Sequence, residues 1–194
     1  MTAPDTDVRA ETAAPVDTTP SERAFPFLVV GAIVVVDQLS KAWAQRALQP
    51  MHTPHDVLGE VLRFTLTYNP GAAFGMHLGE WSRGIFMALT LTILGFLYRL
   101  YRGTPPSDRW LRLSVLLVMG GALGNFIDRV RSPDGVVDFI DAGWGDWRFW
   151  TFNVADMAVS VGAALLVLIL WRQDAAQHAR AAAAEPRLPG DPAA

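Results

Sequence analysis

The chain has no cysteine, which excludes a disulfide framework, a thiol nucleophile and a thiolate metal site. Histidine is scarce: His52, His55, His77 and His178 are scattered without the spacing of a ligand set, so no metal and no other cofactor is expected. Charge is also sparse. Only 18% of the 194 residues are Asp, Glu, Lys or Arg, and the formal net charge is −3. No basic stripe is available to neutralise phosphates, so nucleic acid is excluded as a partner. Lysine occurs once, at Lys41, in a chain that otherwise uses arginine. No internal repeat is visible, which counts against the repeat architecture common in transporters.

What remains is apolar. Hydrophobic residues make up 51% of the chain, and they gather in four runs long enough to cross a bilayer: Phe25–Leu48, Gly84–Tyr101, Trp110–Ile127 and Val154–Trp171. Trp43, Trp81, Trp110, Trp150 and Trp171 fall near the ends of these runs, as an interfacial aromatic belt requires. Leu62, Phe64, Leu66 and Tyr68 alternate with Arg63, Thr65 and Thr67, a strand signal of period two. The expected fold is therefore an integral membrane, mainly α protein. It has four transmembrane helices and a small β-containing segment and loop outside the bilayer. Residues 23–173 form the one domain. Residues 1–22 and 174–194 lack an apolar face and are expected to be disordered tails. The first of these also lacks the basic start of a signal peptide.

Four spans put both termini on one side, and the polar residues then line up at one level on the other. Span one carries Asp37 and Lys41 in its far half, spaced i,i+4 as an ion pair. Span three ends in Asn125, Asp128 and Arg129. Asn153 and Asp156 open span four, while Asn69, Gly71 and Asp138 lie in loops on the same side. Nine arginines lie on the terminal side and six on the other, with four of the nine around the short loop between spans two and three. The positive-inside rule makes that side cytoplasmic and turns the polar cluster outward.

Carboxylates at the mouth of a membrane helix are costly to ionise, so they point to function. Two brought together share a proton, and such a pair can activate water against a carbonyl. The residues allow Asp138 with Asp156, or Asp128 with Asp156. Arg129 beside Asp128 suits a structural ion pair instead. A Ser40–Lys41 nucleophile is disfavoured because i,i+1 neighbours on a helix point apart. The small-residue face Gly120-Gly121-Ala122-Leu123-Gly124 lets helices approach closely and leaves room for a lipid groove.

Five motifs in this order resemble lipoprotein signal peptidase (signal peptidase II). They are Asp37-Gln38-x-x-Lys41, Asn69-x-Gly71-Ala72-x-Phe74-Gly75, Gly121-x-x-Gly124-Asn125-x-x-Asp128-Arg129, Val137-Asp138-Phe139 and Phe152-Asn153-x-Ala155-Asp156. The resemblance spans about residues 25–172. It implies a bacterial aspartyl endopeptidase of the cytoplasmic (inner) membrane that cuts prolipoproteins before a diacylglyceryl-cysteine. It implies Asp138 and Asp156 as the catalytic pair and Asp37, Lys41, Asn69, Gly71, Asn125, Asp128, Arg129 and Asn153 as supporting residues. The partners expected are a diacylglyceryl-prolipoprotein substrate and membrane lipid, acting on a monomer.

Overall fold

The computed structural model describes residues 20–70 and 81–184. Four helices, α1 (Pro20–Ala47), α2 (Ser82–Gly103), α3 (Arg109–Arg131) and α4 (Val154–Ala184), are each long and apolar enough to cross a membrane. Much of their apolar surface points outward, with Phe27 80% and Val167 67% exposed. In water that would be a liability; against hydrocarbon it is the solvated face. The chain is an integral membrane protein, mainly helical.

Helix α3 is the central one, packing against α1, α2 and α4, whereas α2 packs against α3 alone among the described helices. Small residues let α3 come so close. A Cβ at Gly120 would lie 2.7 Å from the Ile33 side chain, and one at Gly124 would lie 2.6 Å from Asp37 Oδ2. Ala155 and Val159 of α4 crowd Gly121 in the same way. The small-residue face is therefore filled by α1 and α4 and offers no lipid groove, contrary to the expectation from sequence. An apolar groove of about 380 Å³ lies between α1, α3 and α4 and is lined by residues such as Ile33, Leu117, Val154 and Val161.

Four strands form an antiparallel sheet in the order β1-β2-β3-β4: β1 (His55–Leu58), β2 (Leu62–Asn69), β3 (Val136–Trp144) and β4 (Trp147–Arg148). The alternation over 62–68 becomes β2. Leu66, Val137 and Phe139 close a core with Ala44 and Leu48 at the end of α1, so the sheet is anchored to the helical bundle. Trp43, Phe64 and Phe139 meet edge-on or tilted with ring centroids 5.3–6.1 Å apart.

Two differences from the sequence reading stand out. Strand β1 falls in a stretch that carries no strand signal in the sequence. Helix α4 runs on to Ala184, into a segment expected to be a disordered tail. Its last turns are alanine-rich and exposed, so intrinsic helix propensity carries them, with no packing to help.

Candidate active site

The start of α4 is built from polar atoms of three other elements. Asn153 caps the helix: its Oδ1 accepts from the Asp156 backbone N–H at 3.0 Å, and Asp156 Oδ2 accepts from the Asn153 N–H at 3.2 Å. This reciprocal pair is a capping box, with Asn and Asp in the roles more often held by Ser and Glu. The next open donor, the Ala155 N–H, goes to Asp37 Oδ1 of α1 at 2.9 Å. Orphan amides at a helix start attract carboxylates, which explains why acids gather here.

Lys41 sits behind them, 2% exposed. Its three protons are all taken: by Asp128 Oδ2 at 2.7 Å, Asp37 Oδ2 at 2.9 Å and Asn125 Oδ1 at 2.9 Å. A buried ammonium survives only with such complete pairing. Gln38, which the sequence reading left out of the site, bridges the same groups. Its Nε2 donates to Asp128 Oδ1 at 2.9 Å and to Asp37 Oδ2 at 3.2 Å. It was findable only as the second residue of the Asp37-Gln38-x-x-Lys41 motif.

Asp128 does not pair with its neighbour Arg129. Its salt bridge is to Lys41, and it also accepts from the Val137 N–H at 3.3 Å, tying α3 to β3 one residue before Asp138. Adjacent residues on a helix diverge by about 100°, so sequence proximity misleads here. Arg129 instead lies over the Phe86 ring of α2 at 5.6 Å and donates to the Asn125 carbonyl at 3.2 Å.

Asp138 and Asp156 come from different elements and are joined through Asn153 and Asn125. Asn153 Nδ2 donates to Asp138 Oδ1 at 2.6 Å and reaches Asn125 Oδ1 at 3.1 Å. Asn125 Nδ2 donates to Asp156 Oδ1 at 2.7 Å. Asn69, at the end of β2, also hydrogen-bonds Asp138 through its side chain. Asp138 is 3% exposed and Asp156 is half-buried. Burial pushes the Asp138 carboxyl up to about 7, and the charge of Asp156 adds to that. The Asn153 hydrogen bond, the Lys41 charge and the Asn69 hydrogen bond pull the other way. Such an arrangement can hold one proton between two acids near neutral pH.

Eight of the residues singled out from sequence therefore form one connected cluster around the start of α4: Asp37, Lys41, Asn69, Asn125, Asp128, Asp138, Asn153 and Asp156. Arg129 touches it through the Asn125 carbonyl. Gly71 lies outside the described residues. No group of three or more His, Asp or Glu side chains suited to a metal ion occurs among the described residues.

Comparison with known proteins places the chain in a family. The family model described as "Signal peptidase (SPase) II" matches residues 29–172. A lipoprotein signal peptidase of Coxiella burnetii (strain Dugway 5J108-111) is 42% identical over 153 residues, 77% of this chain and 92% of the relative. One from Pseudomonas aeruginosa (strain UCBPP-PA14) is 38% identical, covering 76% and 88%. Among solved structures, a bacterial membrane enzyme determined by the in meso method at 2.3 Å resolution superposes with a TM-score of 0.70. It shares 29% identity and covers 78% of this chain and 90% of its own. A second, at 1.9 Å resolution, gives a TM-score of 0.67 at 30% identity, covering 76% and 92%. By the match to the family model and by these relatives, the chain belongs to the signal peptidase II family.

Proposed function

We propose that this protein is the bacterial inner-membrane endopeptidase that removes signal peptides from prolipoproteins. On this reading it cleaves before the diacylglyceryl-modified cysteine with water activated between Asp138 and Asp156. The observation that carries the reading is the pair of carboxylates hung from Asn153, one by its side chain and one by its backbone N–H. Asp138, the deeper acid with the raised pKa, holds the shared proton and donates it to the scissile carbonyl oxygen. Asp156, held by the Asn153 N–H and by Asn125 Nδ2, takes a proton from the attacking water. The peptide carbonyl carbon becomes a tetrahedral diol; on collapse the C–N bond breaks, Asp156 gives its proton to the leaving amine, and a diol hydroxyl returns a proton to Asp138. Asn125 and Asn153 hold the two carboxylates in register, Asn69 supports Asp138, and Lys41 neutralises Asp37 and Asp128 behind them. Arg129 adds support through the Asn125 carbonyl, and Gly71 is a further supporting residue by its position in the motif.

The site faces the outside of the inner membrane, with both termini cytoplasmic, and the protein works as a monomer. The arginines around the short 102–109 link support that orientation. The substrate's lipid anchors the scissile residue at the interface, worth about 0.8 kcal/mol per buried methylene. Contact between enzyme and acyl chains then gives selectivity beyond simple membrane concentration. The test is a paired digest of a lipidated precursor and its unlipidated twin, both carrying the same signal helix, read by gel shift. Cleavage of the lipidated form alone is expected. Equal rates on the two would remove the lipid from the proposal.

A further inference from the structure

One half-buried ion pair near the site takes no part in the chemistry above. Arg148 of β4 grips Asp141 of β3: Nε and Nη2 reach Asp141 Oδ1 at 2.9 and 2.7 Å, and Nη2 also reaches the Asp141 carbonyl at 3.0 Å. Its Nη1 donates to the Glu60 carbonyl in the turn between β1 and β2. The other oxygen of the same carboxylate, Oδ2, accepts from Thr65 Oγ1 of β2 at 3.1 Å. Both charged side chains are largely shielded, 22% and 13% exposed. Gly143 makes the approach possible, since a Cβ there would lie 2.8 Å from Arg148 Cα. One guanidinium and one carboxylate thus tie together the β1–β2 turn, β2, β3 and β4.

What they tie is an irregular stretch. Between the rung Arg63–Asp141 and the rung Thr67–Asp138, β2 contributes three residues and β3 only two. Strand β2 is therefore bulged, and Thr65 sits in the bulge. A bulge is a local choice: moved by a residue or removed, it shifts the register beyond it. A one-residue slip turns a side chain to the opposite face of the sheet. Beyond this bulge stands Asp138. The same hairpin returns through Phe152, which pairs with Ile140 in both directions (2.8 and 3.0 Å), and delivers Asn153 to Asp138. The clamp thus sits midway along the loop that carries one acid out and brings the cap of the other back.

We propose that Arg148, through Asp141 and Thr65, is a positioning residue for Asp138: it fixes the β2 bulge that sets the register in which Asp138 pairs with Thr67 and so where β3 presents that carboxylate to Asp156. The inference rests on the dyad reading above. Arg148 touches neither the water nor the peptide; it acts by holding the rung. Lysine is no equivalent, because one ammonium cannot reproduce the two-pronged contact with a carboxylate.

The test is steady-state cleavage of a lipidated precursor by purified full-length enzyme across pH 5–9, roughly the range over which a carboxyl with a pKa near 7 titrates. Arg148→Gln is expected to lower kcat about tenfold or more, the scale of loss that misplacement by a fraction of an ångström causes, with KM within about twofold of wild type. The alkaline limb should move to lower pH, because a displaced Asp138 loses the burial that raises its pKa. Arg148→Lys should recover only part of the rate. Thr65→Val, a smaller change that spares the ion pair, should move rate and limb in the same direction. The double variant should be no more than about twofold worse than Arg148→Gln alone, since both groups hold one carboxylate. An unchanged kcat, a loss confined to KM, a lower rate with the alkaline limb unmoved, or fully multiplicative losses would each overturn the clamp. Asp138→Asn serves as the control for the reading beneath it: activity in that variant removes the dyad whatever Arg148 does.

Discussion

Lys41 shows how a residue can be essential to a site without touching substrate. Its ammonium is enclosed by Asp37, Asp128 and Asn125, so α1 and α3 are bound at the depth of the acids. The sequence made Asp37 and Lys41 an i,i+4 pair, and the structure agrees. The stronger contact to Asp128 could not be read, because it joins residues far apart in the chain. Asp138 carries the pH dependence. Its folded pKa, about 7, lies above the ordinary carboxyl value near 3.9, so the folded state binds the proton more tightly than the unfolded state. Between these values the unfolded chain is ionised while the folded one is protonated, and stability falls as pH rises from about 4 to 7. Asp138→Asn lacks this titration. Its apparent melting temperature in detergent should gain on wild type as pH is raised from about 4.5 to 7.5, measured by thermal unfolding at several pH values. A constant difference across that range would contradict the raised pKa.

At the scale of elements, the four spans were legible because an apolar run of about twenty residues has few alternatives to a membrane helix. The level of the polar groups followed from counting along those spans. Strand β1 was hidden because four residues carry too little alternation to register against nearby prolines. The tertiary filling of the small-residue face was hidden too, since sequence shows that helices can approach but not which does. That filling gives a contrast in glycines. Gly124→Ala drives a methyl group into the Asp37 carboxylate, whereas Gly95 of α2 has nothing within 4 Å of its would-be Cβ. Gly124→Ala is expected to cost about 1–3 kcal/mol, the usual range for overpacking, and to lower activity through Asp37 and Ala155. Gly95→Ala should be neutral or stabilising by up to about 1 kcal/mol. Melting temperatures of the two variants decide it; similar effects would mean that α1 and α3 are not packed as described.

The described helices form a bundle with the polar cluster at one end and the start of α1 and the end of α4 at the other. The motifs made the family legible over most of the chain, but the sequence could not show that one asparagine, Asn153, would reach both acids. The side of the membrane is open to direct measurement. A cysteine placed at Pro133, beside the cluster, should react in intact cells with a membrane-impermeant thiol reagent, and one at Pro106 should not. The opposite labelling would invert the proposed topology.

The central claim is that Asp138 and Asp156 together activate water. It is tested most directly by turnover per folded molecule of three purified variants on a lipidated precursor. Asp138→Asn and Asp156→Asn should each abolish cleavage, because an amide cannot exchange the proton. Asp128→Asn should keep measurable turnover while losing stability, because it removes the anion that pairs with buried Lys41. Full activity in Asp138→Asn or in Asp156→Asn would contradict the account.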